Sequence, residues 1–514
     1  MKKILLIAGV ISMASCKKFL DVNTNPNTPT VTKANFVFSN ALNSTARIMV
    51  GGSHITSGTW TGFYGHSTSF TGGGQEKTYI FTNADFNFFD GWYDNLTDYQ
   101  YVIDHAAADG FGYLIGPSKI MQAYVMQKLV DFYGNVPYSQ ALGGTAFITP
   151  QYDDAATIYQ SLIAKLTEGV NNVNAASFPS SDPSDIVFNA SKTSWKKFAN
   201  TIKLRLIIRR SYVSGYNPAA DIASISADGY ITSPVLCTPG FLKTVGKLCP
   251  YYQNWGFNEN DAPTGDFRKM NAVIVNWLKN SSDIFRLSRL CSRIADPANA
   301  NPSSNPSDYN GVPLGGAGSP YLSSNVSAMG REQIVLGQAT RPVVLISDAE
   351  ATFLQAEAIL RGWLAGNAQT TYETGVILSF RLAAGTHLGS QATATVGQAD
   401  AAAVAYYTGG TLWADWSLAT TTAIKLKTIW VQKWEALCNM DGAEAWAEYR
   451  RTNGPVNANG INPDGNCPST PHSIAVGGTE PVRFFYPLRE ENVNGANVPQ
   501  GINVFTSRIF WDIN

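Results

Sequence analysis

Residues 349–380 read AEATFLQAEAILRGWLAGNAQTTYETGVILSF, and this stretch decides the fold class. Apolar residues recur at helical spacing on both sides of a break at Gly366 and Asn367, which predicts two amphipathic helices joined by a turn. Small residues at Ala356 and Ala358 allow close helix approach. One such pair cannot bury its own apolar face, so the pattern predicts stacked, tetratricopeptide-like helix pairs.

Other segments carry the same spacing. Residues 120–134, IMQAYVMQKLVDFYG, present an apolar stripe that ends at Gly134. Residues 153–173 predict a second helix, with Asp153 as its N-cap. Residues 424–452 predict a further helix pair that contains three tryptophans. The chain is therefore predicted to be mostly α-helical.

A basic helix is predicted at residues 194–210, SWKKFANTIKLRLIIRR. Its apolar side chains fall on one face, and Lys196, Lys203 and Arg210 fall on the other. Such a helix can lie on a membrane, but a solvated face of a globular protein is the interpretation that we favour. The tryptophans of the predicted helices are expected in the core: Trp195, Trp363, Trp434 and Trp446.

Two segments, residues 51–92 and 237–330, lack this periodicity and are rich in Gly, Ser, Asn and aromatic residues. Both are predicted to be long loops. Loops of this length in a folded protein are usually functional or disordered, and their aromatic content disfavours disorder. We therefore expect them to form an irregular half of the molecule, against which the helix pairs pack.

The charge balance excludes several classes of function. The formal net charge is -1, from 37 basic and 38 acidic residues, which gives no electrostatic basis for binding nucleic acid. The sequence contains no GxSxG, HExxH or Walker motif, and its five histidines show no metal-ligand spacing. We therefore predict no catalytic residue, no metal site and no cofactor.

The composition of the two predicted loops fits passive capture of a neutral ligand better than it fits catalysis. Sugars present apolar C–H faces and rings of hydroxyls, so flat aromatic side chains with polar groups at the rim can hold them. The alternative for each loop aromatic is that it packs within its own segment. The candidate ligand-binding residues are Trp60, Tyr64, Trp92, Tyr251, Tyr252, Trp255 and Tyr321.

The N-terminus has the pattern of an export signal. Two lysines precede a short apolar run in residues 1–15, and small residues lead directly to Cys16. The run is too short to span a bilayer, and the motif Met13–Cys16 resembles a bacterial lipobox. We predict a signal peptide at 1–15, lipidation of Cys16 and a lipidated tether at 16–35.

Cys16 aside, five cysteines remain: Cys237, Cys249, Cys291, Cys438 and Cys467. Their odd number argues against a complete disulfide framework. Cys237 and Cys249 could pair in an oxidising compartment.

Several blocks together are similar to the SusD/RagB family, and most closely to its SusD-like nutrient-binding lipoproteins of Bacteroidetes. The blocks are CKKFLDVNTNPN (16–27), DFYGNVPYSQAL (131–142), YDDAATIYQSL (152–162), WKKFANTIKLRL (195–206), AEATFLQAEAILRGW (349–363), QKWEALCNMDGAEAWAEYRRTNGP (432–455) and RFFYPLREENVN (483–494). They occur in the family's order and spacing. The resemblance covers nearly all of the mature chain.

The resemblance implies one SusD-like nutrient-binding domain at 36–514, with helix pairs packed against a loop-rich half. It also implies a lipoprotein of the outer membrane, facing the cell exterior, that captures glycans for a SusC-type TonB-dependent transporter. Lys17 and Lys18 depart from the acidic residues that often follow the cysteine in exported members of this kind. Capture of a peptide or another nutrient by the same mechanism is one alternative, and a tetratricopeptide-type scaffold for protein partners is another.

Overall fold

Helices account for most of the regular structure. The structure is a computed structural model, and it describes residues 32–69, 74–265, 267–294, 303–314, 321–330, 338–453 and 480–513. In the first half, the helices are α1 (Ala34–Met49), α2 (Gly52–Trp60), α3 (Gln75–Thr78), α4 (Phe89–His105), α5 (Ile115–Tyr133), α6 (Ala155–Ala175), α7 (Lys192–Arg209) and α8 (Ala219–Ala223). In the second half, they are α9 (Pro250–Trp255), α10 (Ala272–Asn280), α11 (Ile284–Leu290), α12 (Asp348–Leu360), α13 (Ala368–Ala384), α14 (Val396–Tyr407), α15 (Thr422–Leu437), α16 (Gly442–Thr452) and α17 (Leu488–Asn494).

Short strands pair across long sequence separations. The strands are β1 (Tyr64–His66), β2 (Val136–Pro137), β3 (Tyr152–Asp153), β4 (Val235–Cys237), β5 (Arg268–Met270) and β6 (Val343–Ile346). They form three two-stranded antiparallel sheets in the described part of the chain: β1 with β5, β2 with β3, and β4 with β6. In the first sheet Tyr64 lies opposite Met270 and His66 lies opposite Arg268.

The stretch at residues 349–380 forms the helix pair α12 and α13. The Ser347 side chain caps α12 by accepting from the Glu350 amide at 3.0 Å, and Asn367 caps α13. Gly366 has a φ of +144° at the turn between them. A Cβ at Gly375 would lie 2.7 Å from the Phe353 ring, so glycine allows the two helices to approach this closely.

The helices pack against one another in a continuous series, and most of the contacts join helices that follow each other in the chain. α4 packs on α1 and α5, α5 on α6, and α6 on α7; α7 then contacts α12, which packs on α13 and α15. The predicted helix pairs are therefore confirmed as a succession of stacked helices. Besides the main hydrophobic core, a smaller core cluster lies among α12 to α15 and includes Phe353, Tyr372, Phe380 and Trp430.

The helix predicted at 153–173 exists, but its N-cap is different. Asp154 accepts from the Thr157 amide at 2.9 Å and so caps α6. The carboxylate of Asp153 instead accepts from the amides of Tyr138 and Ser139 at 2.8 and 2.9 Å. Asp153 thus belongs to the β2–β3 turn region, which a local pattern does not reveal.

Most of the predicted solvated face of α7 is in fact buried. Lys196 keeps part of its surface accessible and pairs with Asp228 at 2.5 Å. Lys203 and Arg210 have almost no exposed surface. The Lys203 ammonium donates to the Thr167 hydroxyl and the Ser224 carbonyl, both at 2.7 Å, and Arg210 pairs with Asp221 at 2.8 Å. These partners lie outside α7, so the spacing within the helix could not show them.

Neither predicted loop is a loop throughout. Residues 51–92 contain α2, β1, α3 and the start of α4, while residues 237–330 contain α9, β5, α10 and α11. The helix α2, GSHITSGTW, has no amphipathic pattern because almost every residue in it is buried. Packing against α16 stabilises it: a Cβ at Gly442 would lie only 2.2 Å from the His54 carbonyl oxygen.

Three of the four helical tryptophans are in the core, as predicted: Trp195, Trp434 and Trp446. Trp363 is only half-buried, because α12 ends before it at Leu360.

Cys237 and Cys249 are buried free thiols, which corrects the disulfide that we considered possible. Cys467 lies outside the described residues.

The predicted signal peptide at 1–15 and Cys16 also lie outside the described residues. Of the predicted tether, positions 32–35 are described, and α1 already begins at Ala34. Within the described ranges, the structure contains no helix that is both long and apolar enough to cross a membrane.

Candidate functional site

Five of the seven candidate aromatic residues are buried. A ring without an accessible face cannot stack on a sugar, so their assignment as ligand contacts is corrected to core residues. The physical reason is that both predicted loops contain helices and strands that turn these rings inward. The five are Trp60, Tyr64, Trp92, Tyr251 and Tyr252.

Trp60 lies at the centre of an aromatic cluster. Its ring centroid is 5.0 Å from those of Trp446 and Phe484 and 5.7 Å from that of Phe81. Its indole N–H donates to the Glu76 carbonyl at 3.0 Å. The side chain thus joins α2 to α16 and to the C-terminal segment.

His54 connects two of the buried tyrosines. The Gly442 amide donates to His54 Nδ1 at 3.0 Å, which assigns the ring proton to Nε2. Nε2 lies 2.9 Å from the Tyr64 hydroxyl and 3.2 Å from the Tyr251 hydroxyl. Burial lowers the pKa of His54 to about 4, against a smaller opposing effect of Asp441, so the ring is neutral at pH 7.

The other two buried candidates are also held by the fold. Trp92 is 1% exposed on the inner face of α4. The Tyr252 hydroxyl donates to Asp261 at 2.8 Å, and its ring packs 5.7 Å from that of Phe257.

Trp255 and Tyr321 are the two candidates that keep accessible surface. The Trp255 indole donates to the Val50 carbonyl at 2.9 Å, and the Arg268 guanidinium lies 5.8 Å from its ring centroid. The Tyr321 carbonyl accepts from the Thr68 amide at 2.9 Å, directly beyond the end of β1. Both residues therefore lie beside the β1–β5 sheet.

Phe267 and Arg268 complete this surface, and sequence reasoning missed both. Phe267 accepts from the Ser67 amide at 2.9 Å, and the Arg268 guanidinium lies 4.9 Å from the Phe267 ring centroid. The available signal was an arginine next to an aromatic residue within a segment rich in Asn and Gly. We call Trp255, Phe267, Arg268 and Tyr321 the β1–β5 face.

A cluster of His66, Glu76 and Arg268 holds the β1–β5 face in place. His66 Nε2 lies 2.9 Å from Glu76 Oε1 and 2.7 Å from Arg268 Nη1, and Arg268 also pairs with Glu76. Burial opposes ionisation of Glu76, but the His66 hydrogen bond and the Arg268 charge outweigh it and hold its pKa at about 2. Burial lowers the pKa of His66. Arg268 is thus fixed by an ionised carboxylate while part of its surface stays open.

This arrangement can hold a neutral, hydroxyl-rich ligand. Aromatic rings provide apolar contact for a pyranose face, and a fixed guanidinium donates hydrogen bonds to hydroxyl or carbonyl oxygens. In the described residues there is no group of three or more His, Cys, Asp or Glu side chains that could hold a metal ion.

A concave surface lies between α4 and α17, outside the β1–β5 face, and has a volume of about 260 Å³. Its apolar side chains include Phe147, Ile148 and Val493, all of them exposed. We call it the α4–α17 cleft. Its lining residues are Phe89, Asp90, Tyr93, Asp94, Pro137, Ala141, Phe147, Ile148, Pro150, Arg489, Glu490, Val493 and Asn494.

The family follows from the sequence: the model of the SusD-like family, described as starch-binding and associating with the outer membrane, matches residues 26–487. The chain therefore belongs to the SusD-like family, and the resemblance found in its sequence blocks is confirmed. No curated protein sequence matches the chain.

Solved structures share the fold. A SusD homologue from Bacteroides fragilis superposes with a TM-score of 0.73 at 22% identity, covering 94% of this chain and 99% of the other. A chitin-binding SusD homologue from Flavobacterium johnsoniae gives a TM-score of 0.69 at 22% identity, covering 93% and 98%. A further chitin-binding protein gives 0.68 at 24% identity, covering 93% and 99%. The mostly helical, SusD-like fold is thereby confirmed.

Proposed function

We propose that this protein captures oligosaccharides at the outer membrane and delivers them to a SusC-type TonB-dependent transporter. The observation that carries the proposal is the family match over residues 26–487, whose description names starch binding and the outer membrane. The proposed ligand class is a neutral glycan, because the family description names starch and two similar structures are named as chitin-binding. Both polymers are built of neutral pyranose rings.

The proposed attachment is a lipid on Cys16, with the protein on the outer face of the membrane. This rests on the short apolar leader and the small residues before the cysteine. A protein that only binds cannot move its cargo across a membrane, so a partner must supply the pore and the energy.

The proposed binding surface is the β1–β5 face. Trp255 and Tyr321 supply aromatic surface, and Arg268 supplies donors that Glu76 holds in place. Neutral sugars bind aromatic side chains without needing a net charge, in agreement with the nearly neutral chain.

Calorimetry with the mature protein tests the proposal. Titration with maltooligosaccharides, chitooligosaccharides and peptides should give binding with at least one of the glycans. Trp255→Ala and Tyr321→Ala should each weaken that binding by ~1–3 kcal/mol, the cost of losing an aromatic stacking partner. Trp363→Ala is the matched control, since Trp363 is a half-buried tryptophan at the turn after α12, and it should bind as the wild type does.

Two outcomes would contradict the proposal at different levels. Binding of peptides without binding of any glycan would replace the ligand class. Normal glycan binding by both the Trp255 and Tyr321 variants would show that the β1–β5 face is not the site.

A further inference from the structure

The described chain begins beside the C-terminal half of α4. The Tyr101 hydroxyl donates to the Thr32 carbonyl at 2.7 Å, and Asp109 accepts from the Ala34 amide at 2.8 Å. The first described residue, Thr32, is therefore held next to Tyr101.

An acidic stripe runs from this point along α4 to the α4–α17 cleft. Asp90, Asp94, Asp98 and Tyr101 follow each other at spacings of four, four and three residues, which places them on one face of the helix. The Asp94 carboxylate is exposed and has no hydrogen-bond or ion-pair partner among the described residues. The stripe thus offers negative charge along the route from the chain entry to the cleft.

The cleft combines exposed apolar surface with negative charge. Three carboxylates line it, those of Asp90, Asp94 and Glu490, against the single guanidinium of Arg489. Ile148 is 84% exposed at its edge. A volume of about 260 Å³ is below the ~300–1,000 Å³ of typical small-molecule sites, so the cleft suits a few peptide side chains better than an oligosaccharide.

We propose that residues 17–20 of this chain, Lys-Lys-Phe-Leu, dock in the α4–α17 cleft. The two lysines complement its carboxylates, while the phenylalanine and the leucine complement Phe147, Ile148 and Val493.

The chain before Thr32 is long enough for residues 17–20 to reach the α4–α17 cleft. Leu20 and Thr32 are twelve positions apart in the chain, a distance of up to about 40 Å at ~3.3 Å per residue. From Tyr101 to Asp90 the helix rises by only about 17 Å, at ~1.5 Å per residue. Because Cys16 directly precedes the docking segment, a lipid on Cys16 would bring the N-terminal end of α4 close to the bilayer.

Disulfide trapping in the full mature lipoprotein tests the proposal. Phe19→Cys combined with Ile148→Cys, in a Cys467→Ser background, should form a disulfide within one chain under mild oxidation. Phe19→Cys with Val404→Cys is the control, because Val404 is exposed on α14 in another part of the fold. Mass spectrometry of the cross-linked peptides, and gels run without reductant, identify the products.

Charge reversal provides a second readout, first at residues 17 and 18 and then at the exposed Asp94 of α4. Lys17→Glu with Lys18→Glu should slow the trapping at least tenfold, and adding Asp94→Lys should restore most of the rate. High salt should slow the trapping in the wild-type background, because the attraction is screened.

Each remaining outcome would overturn the proposal. A covalent dimer as the main product would make a second copy the occupant of the cleft. Equal trapping with Val404→Cys would show random collision, and an absence of trapping at Ile148 would show that the segment does not dock there.

Discussion

Composition cannot decide what a tryptophan in a glycine-rich segment does, and Trp60 and Trp255 show why. Both lie in segments with the same composition, but Trp60 is fully buried while Trp255 keeps accessible surface. The difference arises from Trp446 of α16 and Phe484 of the C-terminal segment, which cover Trp60 from positions about 400 residues further along the chain. Sequence could therefore identify the candidate aromatics but not their exposure.

The first prediction follows from the burial of Trp60. Trp60→Ala should lower the free energy of unfolding by ~3–5 kcal/mol, because it leaves a cavity between Trp446 and Phe484 and removes a hydrogen bond to Glu76. Urea titration followed by circular dichroism measures this. Phe147→Ala, at an exposed position, is the control and should change stability by no more than ~0.5 kcal/mol. A Trp60 variant as stable as the control would show that the ring is not a core residue.

The second prediction concerns His54, whose pKa burial lowers from 6.5 to about 4. Asp441 opposes this effect and Lys128 adds to it. Between these two pH values the unfolded chain binds a proton that the folded chain does not, so stability falls as the pH is lowered from 6.5 to 4. The loss from this one residue is about 3 kcal/mol, at 1.36 kcal/mol per pKa unit.

Replacing His54 by Gln tests whether this residue makes the protein less stable as the pH is lowered. Gln keeps a group that can accept from the Gly442 amide and one that can donate to Tyr64, but it does not titrate. The stability difference between wild type and His54→Gln should therefore shrink by about 3 kcal/mol between pH 7 and pH 4. His105→Gln, at an exposed position, controls for the loss of a histidine. A difference that does not change with pH would show that His54 is not held neutral.

At the scale of elements, helices with a clear apolar stripe were predictable, whereas those formed by long-range contacts were not. Residues 120–134 and 424–452 fold as their spacing indicates, in α5, α15 and α16. The helix α2 and the strand pair β1–β5 gave no local signal. The partner of β1 lies about 200 residues away, and α2 is stabilised by α16. Tertiary contacts, which a local pattern does not contain, decide both.

The charged residues of α7 show the same limit. Arg209 donates to Glu444 at 2.6 Å and to Glu448 at 2.9 Å, and Arg451 bridges Glu448 and Glu357 at 2.6 and 2.8 Å. This buried ionic network joins α7, α12 and α16. Burial opposes ionisation of Glu444, but the charges of Arg209 and of its neighbours outweigh it and hold the pKa of Glu444 at about 2.

The third prediction is that this network holds the three helices together. Arg209→Met should lower the free energy of unfolding by ~3–5 kcal/mol, because it leaves Glu444 and Glu448 buried without one of their cations. Arg489→Met is the matched control, since the pair that Arg489 forms with Asp90 at 2.9 Å is largely exposed, and it should cost no more than ~1 kcal/mol. Urea unfolding of both variants gives the comparison. Equal costs would show that burial does not strengthen the network's contribution.

At the scale of the whole molecule, the fold class was predictable because helix periodicity and the family's sequence blocks agree over nearly the whole chain. The proposed binding surface, the β1–β5 face, was predictable only in part. Trp255 and Tyr321 were candidates, but Arg268 and Phe267 join them only through the pairing of β1 with β5. A site assembled from segments near residues 66, 255, 268 and 321 has no spacing in sequence from which it could be read.

The last prediction is that the protein works with a membrane partner. A binding protein tethered by a lipid at Cys16 shares the membrane surface with its transporter, and this high effective concentration makes even a modest interface sufficient for repeated capture. Affinity purification of the native lipoprotein from solubilised outer membranes should therefore recover a large TonB-dependent β-barrel protein. Cys16→Ala is the control: it should not incorporate labelled fatty acid, should be lost from the membrane fraction and should recover much less of the partner. Recovery of soluble proteins alone would favour the scaffold alternative, and unchanged membrane attachment of the Cys16 variant would contradict the lipid anchor.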